Sequence, residues 1–208
     1  MNIPADNPLT VQGVSLGKKL FYDPILSGDN SQSCGSCHNQ SYGFTDNNRA
    51  LSIGIDQVTG TRNSMPLFNL GYANTFFWDG GASSLESQVV GPITNPVEMH
   101  EDLNNCMYEL NNHPEYPGLF KGAFGSDSIT ISMVMKAIAQ FERTLISGDS
   151  KYDRWLRGRA TLTAQEESGR LVYVSASKGD CTHCHILGST FSDFAFKNNG
   201  LDSISADS

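Results

Sequence analysis

Two short motifs constrain this chain more than anything else in it: Cys34-Gly35-Ser36-Cys37-His38 and Cys181-Thr182-His183-Cys184-His185. Cys-x-x-Cys-His is the attachment signature of a c-type haem. The chemistry fixes the spacing. Two thiols at i and i+3 on one helical turn reach the two vinyl groups of a porphyrin and form thioethers, and the next histidine then lies under the iron as its proximal ligand. At this chain's cysteine and histidine content, one such motif is expected about 0.003 times by chance. Four cysteines could instead bind zinc, or each pair could be a redox dithiol. Zinc does not require a histidine after each pair, and residues 38–180 are far too long for a zinc-ribbon loop. Two haem c groups remain as the cofactors: Cys34, Cys37 and His38 hold the first, and Cys181, Cys184 and His185 hold the second.

Attachment of this kind happens outside the cytoplasm, which predicts a periplasmic or extracellular address, with periplasmic the expectation. Met1-Asn2-Ile3-Pro4-Ala5-Asp6 lacks the basic and apolar segments of a leader, so the numbering is expected to begin near a mature end. No apolar run is long enough to span a bilayer. Of the 208 residues, 38% are hydrophobic and 17% charged, which suits a packed core. A net charge of -8 argues against nucleic acid and favours neutral or basic partners. The fifth cysteine, Cys106, shares a helix face with Leu103, Met107 and Leu110 and reads as a buried structural thiol.

The rest of the chain reads as helices joined by long loops, with weak strand signals. Ser15 is expected to cap a short helix through Phe21. Ser83 or Ser84 should cap Leu85 to Val90, ended by Gly91-Pro92. The clearest helix runs from about Thr130 to Ile146, with Ile131, Val134, Ile138, Phe141 and Leu145 in one stripe. Thr163-Ala164-Gln165-Glu166 is a capping box that opens a helix carrying Leu171, Val172 and Val174. Residues 39–77 show no sustained period, and a loop this long is usually functional. No internal repeat is read beyond the haem motif. Ser147-Gly148-Asp149-Ser150 is the expected boundary between domains 1–148 and 149–208, one motif on each side.

Further residues give the chain a resemblance to the bacterial di-haem cytochrome c peroxidases and their relative MauG. They are Leu16 to Asp23, the first haem motif, Gly43-Phe44-Thr45-Asp46, Arg62-Asn63, Phe77-Trp78-Asp79-Gly80, Gly91-Pro92-Ile93, Val97-Glu98-Met99, Phe141 to Leu145, the second haem motif, and Phe196 to Asp202. The resemblance implies a mainly α fold of two cytochrome c-like haem domains. The N-terminal haem would be peroxidatic, with His38 as proximal ligand, and the C-terminal haem, with His185, would receive electrons. It also implies Glu98 as distal acid-base residue, Gln88 as the amide beside it, Trp78 as the tryptophan between the haems, and Asn63 as a calcium ligand.

The chemistry of peroxide cleavage accords with those roles. A carboxylate in a mostly apolar pocket can take a proton from one peroxide oxygen and deliver it to the other. An amide orients peroxide without competing for that proton, and an indole offers an electron path. Each residue also has a plainer reading: Glu98 as cap of a helix starting near Glu101, Gln88 as solvated helix, Trp78 as core, Asn63 as turn. His100 and His113 read as surface histidines.

Three departures from the resembled pattern matter. No histidine stands between Asn39 and His100, where many members hold one that ligates the resting catalytic iron. The first haem is therefore expected to be five-coordinate or water-bound as isolated. Gly81 stands where arginine is usual after Trp-Asp-Gly. The chain stops at Ser208, so the second domain is expected to be incomplete. Met133, Met135 and His113 are weak candidates for its missing axial ligand. The leading function is reduction of hydrogen peroxide with electrons from a small cytochrome or cupredoxin, with a homodimer as an implied assembly. The alternatives are a MauG-like oxidase of a protein side chain and a non-enzymatic di-haem carrier.

Overall fold

A computed structural model describes residues 1–188 and 190–197. The marker that runs from Phe196 to Asp202 therefore lies partly outside the described residues. The fold is mainly α: among the described residues there are isolated bridges but no named strand. The chain divides into two compact units, Met1–Leu145 and a second that begins at Ile146.

The first unit contains α1 (Val11–Tyr22), α2 (Cys34–Cys37), α3 (Leu85–Thr94), α4 (Leu103–Asn112), α5 (Tyr116–Phe124) and α6 (Ile131–Glu142). Its core is built on the crossing of α1 and α6. Leu16, Leu20 and Phe21 of α1 meet Val134, Ala137, Ile138 and Phe141 of α6, all buried. Two glycines set how close the helices come. A Cβ on Gly13 would sit 2.2 Å from Gln140 Oε1, and one on Gly17 would sit 1.9 Å from the Ala137 carbonyl oxygen. The cap of α1 is Thr10, whose hydroxyl accepts from the Gly13 amide, so the helix starts earlier than Ser15.

The stripe on α6 forms as expected, but the helix ends at Glu142, with Leu145 beyond it and partly buried. Ser84, rather than Ser83, caps α3, and this helix passes through Pro92 to Thr94. Proline costs it one intrahelical donor. Burial of Ile93 and the Asn95 amide bond to Gly91 O (3.0 Å) hold the last turn beyond it. Cys106 is fully buried on α4, where burial pushes its thiol up to about 12. Met133 and Met135 pack against the same core. His100 is exposed and bonds Asp56 at 2.5 Å, while His113 packs at a tilt against Tyr116 with ring centroids 4.9 Å apart.

The second unit contains α7 (Lys151–Leu156), α8 (Ala164–Val174) and a 3-10 turn at Cys181–His183. The Thr163 capping box is present, with Thr163 Oγ1 accepting from the Glu166 amide. None of the described residues from Ile146 onward is fully buried, and Leu171 and Val172 are exposed. The unit is held by Lys151–Glu166, by the Tyr152–Trp155 and Tyr152–Phe191 ring contacts at 5.4 and 5.7 Å, and by Arg170 over Trp155 at 5.3 Å.

Candidate functional site

Cys34 and Cys37 open and close the single turn of α2, so both thiols leave one face of one turn. Ser33 caps the turn, and the His38 amide closes it on Cys34 O at 3.0 Å. With His38 they line a cavity of about 420 Å³ in the first unit, a volume in the range of small-ligand sites. Phe21 of α1, Gln88, Val89 and Pro92 of α3, and Ile138 and Glu142 of α6 complete much of its wall, joined by Trp78 and Glu98 from the loops. Gln88, Trp78 and Glu98, placed together by the sequence reading, thus share one cavity with the attachment residues.

The ring of His38 is oriented by a backbone bond, Nδ1 to the Phe44 carbonyl at 2.9 Å. A carbonyl only accepts, so Nδ1 carries the hydrogen and Nε2 keeps its lone pair for a metal. Burial lowers the His38 pKa, opposed by the carbonyls of Phe44 and Met65 and by the charge of Asp46. The neutral, ligating form therefore dominates near pH 7. Burial also pushes the Cys34 thiol up to about 12 and the Cys37 thiol upward, which disfavours the thiolate at both.

Glu98 is held by its neighbours' backbones. Gly54 packs so closely that an added Cβ would lie 2.3 Å from Val97 O and 2.7 Å from Glu98 O, and the Ile55 amide donates to Glu98 O at 2.9 Å. Asn95 Nδ2 donates to the carboxylate at 2.7 Å. Burial raises the Glu98 pKa, and the Asn95 bond only partly offsets this. Glu98 does not cap the following helix. Asp102 does, its Oδ1 accepting from the Asn104 and Asn105 amides at 2.8 and 3.0 Å.

Trp78 is half exposed, and its indole donates to Asn63 O at 2.8 Å. Asn63 spends its side-chain Nδ2 on Arg49 O and Ala50 O, 2.8 and 3.1 Å away, so the side chain pins the loop at 49–63. No cluster of three or more His, Cys, Asp or Glu fit for a metal ion occurs among the described residues. Gly81, in place of the usual arginine, donates its amide to Asp79 Oδ1 at 3.3 Å, and Asp79 takes Arg62 as its cation at 3.0 Å.

The second unit repeats the ligand geometry. His185 Nδ1 meets the Phe191 carbonyl at 2.9 Å, and the His185 amide closes on Cys181 O at 2.8 Å. Both phenylalanines adopt positive φ, 63° at Phe44 and 58° at Phe191. The internal repeat is therefore longer than the haem motif: Cys-x-x-Cys-His, five residues, Phe, Thr or Ser, Asp. Phe44 and Phe191 were missed as functional positions, although this shared spacing was there to be read. Two further groups were missed. Asp46 and Glu142 are buried acids, each with one oxygen that has no hydrogen-bond partner.

In both units the thiol spacing and the free Nε2 fit a covalently attached haem, and in the first the enclosed volume fits as well. Residues 11–161 match the family model described as di-haem cytochrome c peroxidase. The chain is 40% identical over 200 residues to methylamine utilization protein MauG of Methylorubrum extorquens, covering 95% of this chain and 56% of that one. It is 41% identical over 184 residues to cytochrome c551 peroxidase of Nitrosomonas europaea, covering 88% and 54%. A solved MauG-like protein associated with microbial copper homeostasis superposes with a TM-score of 0.84 at 33% identity, covering 94% and 59%. The chain thus spans little more than half the length of these relatives.

Proposed function

From the premise that this chain belongs to the di-haem cytochrome c peroxidase family, we propose that it carries the peroxidatic centre of an enzyme that reduces hydrogen peroxide to water in the periplasm. Residues 1–148 form the peroxidatic haem domain and 149–208 part of the electron-transfer haem domain. The single observation that carries the reading is Glu98: a carboxylate with a raised pKa in the same cavity as Cys34, Cys37 and His38.

Cys34 and Cys37 tether the porphyrin edge, and His38 presents Nε2 because Nδ1–H is committed to Phe44 O. A haem bound there supplies a Lewis-acidic iron and stores redox equivalents. Glu98 accepts the proton from the near peroxide oxygen and passes it to the far one. Its upward-shifted pKa brings that exchange closer to working pH. Asn95 holds the carboxylate, and Gln88 orients peroxide through its amide. Trp78, fixed by its bond to Asn63 O, offers the electron path. The sum is one peroxide, two electrons and two protons to two waters, with the electrons drawn from a small cytochrome or cupredoxin. Asn63 would offer its Oδ1 to a calcium ion. Replacing Glu98 with Gln should cut peroxide turnover by about 10²–10⁴-fold while both haems stay attached. Turnover within threefold of the parent would remove Glu98 from this role.

A second reading, oxidation of a protein side chain, is favoured by the absence of any histidine between Asn39 and His100. That stretch offers no imidazole that could ligate the iron of a bound haem. Peroxide turnover with a reduced cytochrome against oxidation of an added protein separates the two readings.

A further inference from the structure

Three acids line the cavity of the first unit: Asp79, Glu98 and Glu142. Asp79 pairs with Arg62, and Glu98 has the proton transfer described above. Glu142 has no assigned task. It ends α6 with 4% of its surface exposed, and its Oε2 has no hydrogen-bond partner. The adjacent Arg143 does not neutralise it, because that guanidinium is spent on both oxygens of Glu86 and on Asn2 O. Burial pushes the Glu142 carboxyl up to about 8; the charge of Arg143 offsets part of this and that of Glu86 adds to it.

The charged and titratable groups facing Glu142 from the elements packed around it are few. Tyr22 of α1, in ring contact with Phe141, ionises only at higher pH because burial raises it. Cys34 of α2 loses its titration once it is a thioether. Glu86 of α3 is locked to Arg143. Glu98, Cys37, His38 and the Arg62–Asp79 pair line the same cavity; Cys37 and His38 cease to titrate once they hold the haem.

We propose that Glu142 is the redox-linked proton site of the first haem centre, binding one proton when an electron arrives there and releasing it when the electron leaves. The oxidised centre with Glu142 as carboxylate, one electron from the reduced partner protein and one solvent hydronium ion give the reduced centre with Glu142 as carboxylic acid and one water. The carboxyl O–H bond forms as an O–H bond of the hydronium breaks. The physical basis is Coulombic: reduction removes one positive charge from the cavity that the buried Glu142 carboxylate lines, so the protonated form gains. Such a site keeps the net charge of the cavity constant through each electron transfer and holds a proton ready for a reaction that consumes two. The proposal rests on haem attachment at Cys34 and Cys37, not on peroxide as substrate.

The test is a spectroelectrochemical titration of each haem in the holoprotein across roughly pH 6 to 9, around the carboxyl's shifted range. The midpoint potential of the first haem should fall as pH rises through the Glu142 range, approaching a tenfold change in the reduced-to-oxidised ratio per pH unit, 59 mV for one electron. Glu142→Gln should flatten that step, and Glu98→Gln should leave it. A flat wild-type profile, or an unchanged step in Glu142→Gln, overturns the proposal. Should that variant fail to load, the reduced-minus-oxidised infrared spectrum of the wild type decides. A carboxylic C=O band gained on reduction, and absent from Glu142→Asp at the same position, supports the assignment, and no such band overturns it. A pyridine haemochrome count below two per chain would instead mark failure of the haem reading itself.

Discussion

Replacing Glu86 with Ala should destabilise the first unit more than the loss of any exposed ion pair. Glu86 sits in the first turn of α3, and its two oxygens meet Arg143 Nη1 and Nη2 at 2.7 and 3.0 Å. The side chains are only 15% and 4% exposed. Asn7, itself buried, donates to Glu86 Oε1 at 2.6 Å and accepts from Gln140 at 2.8 Å, while Gln140 Oε1 takes the Thr10 amide at 3.0 Å. The N-terminal segment, α1, α3 and α6 therefore meet in one polar network. An exposed pair is worth about 0–1 kcal/mol, whereas stripping one partner from a buried pair costs about 3–5 kcal/mol because a charge is left unpaired. Exposure decides between these, and about 4 kcal/mol is expected. For a chain of this size that lowers Tm by roughly 8–16 °C.

The same network sets a pH signature. Burial alone would raise the Glu86 pKa, but the bonds from Arg143 and Asn7 outweigh it and the net shift is downward. A folded-state pKa below the unfolded value gives stability that is complete above about pH 4.3 and fades as pH falls through the lower folded value. The gap between wild type and Glu86→Ala in urea denaturation should therefore be full at pH 7 and narrow below about pH 4. The double variant Glu86→Leu with Arg143→Met should recover most of the loss, since no charge is stranded. The reasoning fails if Glu86→Ala costs under about 1 kcal/mol at pH 7, or if the double variant is as unstable as the single.

Gly17→Val should destabilise by about 2–4 kcal/mol, because its Cβ would sit 1.9 Å from Ala137 O and α1 must lift off α6. Thermal unfolding of the holoprotein measures this, and a neutral result would mean the helices can separate freely. The first haem should be high-spin, five-coordinate or water-bound in the oxidised protein as isolated, since residues 40–99 contain no histidine. An electron paramagnetic resonance spectrum with only low-spin, two-nitrogen-ligated haem would contradict this.

What the sequence disclosed, and what it hid, follows from where each signal lives. The stripe on α6 was legible because Val134, Ile138 and Phe141 recur at helical spacing and are all buried, although residues 137–142 are buried in succession rather than on one face. The first half of α1 was not, because Gly13 and Gly17 weaken a helical pattern and are explained only by the approach of Gln140 and Ala137. Pro92 looked like a stop because a local rule cannot weigh the burial of Ile93 beyond it. Glu98, Gln88 and Trp78 reach one cavity from α3 and two loops, a convergence that no local period encodes. Glu142 was hidden inside a helix, since nothing local distinguishes a buried acid from a solvated one.

The histidines that close the two Cys-x-x-Cys-His motifs, His38 and His185, make a sharper point about what orients a candidate ligand. His38 lies in a unit with a dense core, whereas none of the described residues around His185 is fully buried. Yet both rings bond, six residues on, to the carbonyl of a phenylalanine at positive φ, and both distances are 2.9 Å. Packing cannot be the cause, because packing is what differs. The shared cause is local: one turn closed on the first cysteine of each motif, and a left-handed residue that turns its carbonyl back toward the ring. A bulky side chain in that conformation carries a backbone cost of order 1 kcal/mol or more. The cost is met twice, at the same offset, where it fixes the histidine tautomer. The tautomer of each motif histidine is thus written into about a dozen consecutive residues, ahead of any core.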